Sequence, residues 1–180
     1  MRKKIITEES GQALVELSLA AVTLLVLILG IIDYGRAIYD VQVMKNLAGE
    51  GSSMASRGAK PAPTTTTVAT YAGADLDMAH NGCVIVTVVT NNSGTLAVTD
   101  QASYCAISVT SKIGCVQGVG ACQSSNPTLP ASAQTALSNE MSGSSLYVTE
   151  IYYNFSTITP VTGLLGANSV PSQLYTASYF

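Results

Sequence analysis

The chain has 180 residues, 47% of them hydrophobic and 11% charged, and eight basic against eleven acidic side chains leave a net charge of −3. That length suits one ordinary domain with a membrane segment and leaves little room for two full domains. Low charge with an acidic balance excludes the basic stripe of a nucleic-acid binder, so no nucleic-acid partner is expected.

The charges divide the chain. Arg2, Lys3, Lys4, Arg36, Lys45 and Arg57 lie in the first 57 positions. Beyond them Lys60 and Lys112 face Asp75, Asp77, Asp100, Glu140 and Glu150, so the two parts live in different surroundings. From Ala13 to Ile32 only Glu16, Ser18, Thr23 and Gly30 interrupt an apolar run. Twenty helical residues at about 1.5 Å each span roughly 30 Å, the thickness of a bilayer's hydrocarbon core. A helix this apolar on every side predicts a transmembrane span. Arg2, Lys3 and Lys4 precede it, whereas Arg36 and Lys45 follow it in the company of Asp33 and Asp40. The positive-inside rule then leaves the N-terminus in the cytoplasm and exports the rest. A secretory signal peptide is the rival, but Gly30-Ile31-Ile32-Asp33-Tyr34 lacks the small-x-small cleavage site it needs.

Glu16 is the informative residue of the span. An ionisable side chain costs about 2.5–3.5 kcal/mol near the centre of a membrane helix, and less near its end. A carboxylate at the interface, touching headgroups, would need no further explanation. Its context points elsewhere: the polar leader MRKKIITEES ends in Gly11, and Glu16 is the fifth residue after that glycine. Gly11-Gln12-Ala13-Leu14-Val15-Glu16 resembles the processing site of a type IV prepilin. The longer stretch Gly11–Leu19, with Gly30-Ile-Ile-Asp-Tyr-Gly-Arg-Ala-Ile-Tyr39, resembles the opening of TadE-like proteins, the pseudopilins of tight-adherence (Flp) pilus systems. Leu146–Phe155, Thr159–Leu165 and Leu174–Phe180 resemble that family's closing strands. Two positions depart from the family's habit: Val22 stands where proline is frequent, and Leu17 where an aromatic is frequent.

The resemblance implies a prepilin peptidase that cuts between Gly11 and Gln12 on the cytoplasmic side. It also implies an assembly role for Glu16, facing the new amine on Gln12 of a neighbouring subunit. An opposite charge close by makes a carboxylate tolerable in low dielectric. The implied location is a bacterial cytoplasmic (inner) membrane, single-pass, with the C-terminal domain exported or within a surface pilus. The implied partners are the prepilin peptidase, major and minor pilins, the assembly platform and the lipid bilayer. A minor pseudopilin of a type II secretion system shares the Gly/Glu signature, and an uncleaved, membrane-anchored periplasmic binding module is a further reading.

Past the span, Tyr34, Ile38, Val41, Met44 and Ala48 recur at helical spacing, with Asp33, Arg36, Asp40 and Lys45 between them. This predicts a continuous helix to about Ala55, ended by Arg57-Gly58. The expected organisation is a leader over 1–11, a transmembrane and amphipathic helix over 12–57, a linker over 58–67 and an exported α+β domain over 68–180. The linker reading rests on GAKPAPTTTT, with two prolines and four threonines. A short helix is expected over Val68–Ala79. Strands are expected over Cys83–Thr90, Thr95–Thr99, Tyr104–Thr110 and Leu146–Ile158, with Leu174–Phe180 pairing antiparallel to the last. Gly114–Ser145, rich in Gly, Ser, Asn and Pro, reads as loop. The fold class is therefore α+β, a long N-terminal pilin-like helix carrying a small antiparallel sheet.

Cys83, Cys105, Cys115 and Cys122 all fall in the exported part, and an even count there reads as two disulfides. The expected pairing is Cys115 with Cys122 across a short glycine-containing loop and Cys83 with Cys105 between neighbouring strands. The spacing leaves the crossed pairings open. Zinc is disfavoured by the lack of C-x-x-C and by a single histidine, His80. Asp75-x-Asp77-x-Ala79-x-Asn81-Gly82 only faintly echoes a calcium loop and reads better as a solvated helix end. With no nucleophile elbow and no phosphate-binding glycine loop, no catalytic residue, metal or cofactor is expected, and the chain does not read as an enzyme.

Overall fold

A computed structural model describes residues 6–73, 75–114, 127–160 and 170–180. In chain order it contains α1 (Ile6–Ser56), α2 (Pro61–Ala72), α3 (Met78–Asn81), β1 (Gly82–Asn92), β2 (Thr95–Cys105), α4 (Ala131–Asn139), β3 (Ser145–Asn154) and β4 (Gln173–Tyr179). The chain is α+β, with a long N-terminal helix followed by a four-stranded sheet in the order β2-β1-β3-β4. Every neighbouring pair of strands is antiparallel. Two compact units arise, one of Met1–Ala37 with Ser156–Pro171 and one of Ile38–Phe155 with Ser172–Phe180.

α1 contains no proline, and it ends where the chain can turn left-handed. Gly58 has φ +98°, the Gly58 N–H bonds the Ala55 carbonyl at 3.0 Å, and the Ala59 N–H bonds that of Met54 at 3.2 Å. This pair of bonds satisfies the last carbonyls of the helix and stops it. Of the stripe expected on its outer half, Met44 and Ala48 are buried and Val41 is half-buried, but Ile38 is not part of the packed face. Asp40, Met44, Ala48, Ser52 and Ala55 are buried, whereas Ile38 and Tyr39 stay exposed. In the first unit likewise, Asp33 and Ala37 are buried and Tyr34 is exposed. Beyond Met44 small side chains line the packed face, Ala48, Gly51, Ser52 and Ala55, because the helix approaches the sheet closely there. A Cβ on Gly51 would stand 3.0 Å from the Thr149 Cγ2 and the Val68 Cγ2.

The stretch expected as a linker over 58–67 is largely helix, since α2 begins at Pro61. Two physical reasons explain the difference. Pro61 and Pro63 occupy the first turn, where a missing N–H costs nothing. The threonine hydroxyls then bond back along the helix, Thr64 to the Lys60 carbonyl at 2.8 Å and Thr67 to that of Pro63 at 2.8 Å. Pro61, Thr64, Thr65, Val68 and Ala72 form its buried stripe. The helix expected over Val68–Ala79 is accordingly divided, its first part closing α2 and its last residues opening α3.

β1 and β2 form a hairpin whose two-residue turn, Ser93-Gly94, has φ +54° and +89°. Two left-handed residues match the twist of the flanking strands. β2 is one strand rather than the expected two. Its pairing with β1 shifts between Val88↔Asp100 and Val89↔Val98, leaving Thr99 as a bulge. The bulge restores a common face, so that Leu96 and Val98 share a side with Gln101, Ser103 and Cys105. The strand expected over Tyr104–Thr110 does not extend past Cys105, and β3 ends at Asn154 rather than Ile158. Within Gly114–Ser145, read as loop, Ala131–Asn139 is helix α4, which follows Pro130 and buries Leu137.

The two faces of the sheet are covered differently. One carries Cys83, Ile85 and Tyr152, flanked by Ile107 and Val109, and Val89, Val98 and Val148, which pack with Ile113 and Leu137. The other meets Gly51 of α1 and Val68 of α2 at Thr149. β1 and β3 are thus covered on both sides, which is why burial runs continuously over Gly82–Thr87 and Val148–Tyr152 rather than alternating.

Candidate functional site

The N-terminal site is a segment of helix rather than a cavity. Gly11, Gln12 and Glu16 lie on α1 and are exposed. A Cβ placed on Gly11 meets nothing within 4 Å, so the backbone there is open to approach. Gln12 and Glu16 are four residues apart and share one face. Around them the apolar side chains point outward on every side, Leu17 at 70% and Val22 at 63% exposure. The hydroxyls in this stretch are satisfied internally, Ser18 on the Val15 carbonyl at 2.7 Å and Thr23 on that of Leu19 at 3.0 Å. Such back-bonding is what a helix surrounded by hydrocarbon requires. α1 is long and apolar enough to cross a membrane. Within this span Glu16 is the one ionisable group, and no group among the described residues bonds its carboxylate.

Residues 11–53 match the model of the TadE-like protein family. Over that segment the chain is similar to TadE-like proteins. No curated protein and no solved structure matches it. The matched segment takes in Gly11, Gln12 and Glu16, Asp33, Arg36 and the close-packed Gly51.

Just beyond the span, the TadE-like segment carries a built polar anchor. Asp33 is fully buried, and its carboxylate accepts the Ile158 N–H at 3.1 Å and the Thr159 hydroxyl. Arg36 Nη1 donates to the Ser156 carbonyl at 3.4 Å. The helical spacing set Asp33 and Asp40 between the apolar positions of α1, and the structure buries both. The signal that could have found Asp33 is its position, a carboxylate directly following the apolar span Ala13–Ile32.

In the second unit the disulfide and a buried carboxylate cooperate. Cys83 and Cys105, directly opposed on β1 and β2, are joined by a disulfide. Their separation of 22 residues corresponds to about 3 kcal/mol in the chain-entropy picture. Cys115 and Cys122, expected to form the second bridge, lie outside the described residues. From Cys105 the chain passes along the sheet face through Ile107 and Val109 to Ser111 and Lys112. There it meets Glu150, fully buried on β3. The Ser111 hydroxyl donates to Glu150 Oε2. Oε1 receives the Lys112 N–H at 2.9 Å and the Tyr175 hydroxyl at 3.2 Å. The Tyr152 hydroxyl lies 3.1 Å from Oε1 and 3.0 Å from the Thr110 carbonyl, its one proton shared between them. Lys112 Nζ stands 3.6 Å over the Tyr175 ring, adding a cation–π contact. Burial, and then the Glu150 charge, push the Tyr152 and Tyr175 phenols well above their ordinary range. These phenols therefore serve as donors. Sequence reasoning missed the cluster, although Glu150, Tyr152 and the register partner Tyr175 fall on one face of the sheet by period two.

His80, the one histidine, lies in α3 with Nδ1 2.9 Å from Asp77 Oδ1. Both side chains are solvent-exposed, so the pair reads as a surface contact.

Proposed function

We propose that this chain is a minor pseudopilin, a structural subunit and not an enzyme, that helps assemble a Tad/Flp-type pilus for surface adherence. The observation that carries this reading is the TadE-like match over residues 11–53, which holds a glycine and, five positions later, the one carboxylate of an apolar span. A prepilin peptidase removes residues 1–11 on the cytoplasmic side and leaves an α-amine on Gln12. The subunit then stands in the inner membrane with its sheet domain exported. Glu16 finds its counter-charge in the amine of a neighbouring pilin, since its own chain offers none among the described residues. The pair fixes axial register while apolar helices exchange lipid for one another.

Glu16→Ala tests this division of labour. Removing a carboxylate from the span eases insertion by up to about 2.5 kcal/mol, so membrane yield and leader removal should be retained. Copurification with pilus components should fall sharply, because a partner's amine loses its counter-charge. Unchanged copurification would place Glu16 at the headgroups and remove its assembly role.

A further inference from the structure

The connection after β3 is held where the apolar span ends. Asp33 is the first residue beyond Ala13–Ile32, and one helical residue rises only about 1.5 Å along the axis. Its carboxylate is fully buried by the backbone N–H of Ile158 and the hydroxyl of Thr159, and Arg36 holds the carbonyl of Ser156. Donors from the chain replace water around Asp33, which is what a carboxylate set against a bilayer needs. Ile158 is held in place by its own N–H, so its α-carbon sits within roughly 5 Å of the Asp33 oxygen. Yet its aliphatic side chain remains 66% exposed.

A branched apolar side chain fixed at the level where a helix leaves hydrocarbon has its natural cover beside it. We propose that residues 156–159 make a second membrane contact, with Ile158 dipping into the interfacial layer of the leaflet from which α1 emerges. Lipid is favoured as the occupant because the Ile158 N–H is bonded to Asp33, the residue that directly follows Ile31 and Ile32, and those last residues of the span are themselves exposed. Asp33 acts as the positioning residue, since its bonds to Ile158 and Thr159 set the depth. The contact holds residues 156–159 against the bilayer at the level where the span ends. The inference rests on Ala13–Ile32 crossing a bilayer and on no filament role.

The chain has no tryptophan, so Ile158→Trp creates a single fluorescent reporter at an exposed site. The full chain is reconstituted into phosphatidylethanolamine–phosphatidylglycerol vesicles, with and without brominated acyl chains. Ile158→Trp should emit to the blue of a water-exposed tryptophan, lose intensity to brominated lipid and resist aqueous acrylamide. Val22→Trp, in the middle of the span, reports insertion separately and should be quenched by deeply brominated chains. Adding Asp33→Ala to Ile158→Trp should abolish most of the bromolipid quenching, and its retention would remove Asp33 as the positioning residue. Quenching at Val22→Trp with an acrylamide-accessible, bromolipid-insensitive Ile158→Trp would overturn the proposal. Shielding of Ile158→Trp from both quenchers would overturn it too, by placing protein over the side chain. An unquenched Val22→Trp would remove the span on which the proposal stands.

Discussion

Replacing Glu150 by alanine removes the buried acceptor that holds Ser111 and Lys112 onto the sheet. Four groups converge on this fully buried carboxylate, and they do not suffer equally when it goes. Tyr152 keeps the Thr110 carbonyl at 3.0 Å, and Tyr175, only half-buried, can turn towards water. The Ser111 hydroxyl and the Lys112 N–H are left without their partner. Two orphaned donors at about 1–3 kcal/mol each, with the gap left by the lost side chain, put the cost at roughly 3–5 kcal/mol. For a unit of this size that lowers the melting temperature by about 10–15 °C. Glu150→Gln keeps the volume but sets an amide N–H₂ among donors, so its loss should be intermediate. Thermal and urea unfolding of the full chain in detergent, followed by near-UV circular dichroism, gives the stability order. Amide exchange at Lys112 and Ile113 reports the local release directly. A loss below about 1 kcal/mol for Glu150→Ala, or unchanged protection at Lys112, would refute the argument that this carboxylate holds the segment down.

The raised phenols of Tyr152 and Tyr175 predict an alkaline limit to stability. Their folded pKa lies above the unfolded value of about 10, so the stabilisation is complete below that pH and is lost as pH rises beyond it, where the unfolded chain releases protons that the fold retains. Tyr175→Phe should flatten the alkaline limb of the unfolding profile, and tyrosinate absorbance should show fewer late-titrating phenols. Gly51→Ala should destabilise by about 1 kcal/mol, since overpacking at roughly 1–3 kcal/mol outweighs a helix-propensity gain of about 1 kcal/mol. The cost should shrink when Val68→Ala makes room, which a double-mutant cycle of urea midpoints measures.

Much of this fold was legible in the residues because several signals coincided. The span announced itself by length and apolarity, the end of α1 by Arg57-Gly58, and the bridge of Cys83 to Cys105 by their place in neighbouring strands, although Cys105 ends β2 rather than lying in a strand over Tyr104–Thr110. What stayed hidden shares one physical origin: hydropathy ranks side chains by transfer energy and says nothing of space or donors. Tyr34 and Ile38 looked like the packed face of α1, but the helix approaches its neighbours closely enough that Ala48, Gly51 and Ser52 are what fit. The threonine run looked like linker because threonine's penalty in a helix is an average, and here each hydroxyl finds a carbonyl one turn back. Thr99 disguised β2 as two strands, since a bulge inverts the alternation on which a strand is recognised. Asp33 and Asp40 stood out only as charges between the apolar positions of α1, and Glu150 only as one acidic residue of the exported part. Donors far away in sequence bury two of them, Ile158 and Thr159 for Asp33, and Ser111 and Lys112 for Glu150. At the processing site the signal was purely chemical, a glycine and a carboxylate at fixed spacing, and an isolated helix adds only that the backbone at Gly11 is open.

The reading of this chain as a pseudopilin depends most directly on what happens at Gly11. Intact mass and N-terminal sequencing of the protein extracted from membranes of cells that carry a prepilin peptidase decide it. The account predicts a mature chain that begins at Gln12, and a Gly11→Val variant that keeps its leader, because a branched side chain obstructs the approach of a peptidase to that backbone. A full-length chain beginning at Met1, or normal processing of Gly11→Val, would contradict it.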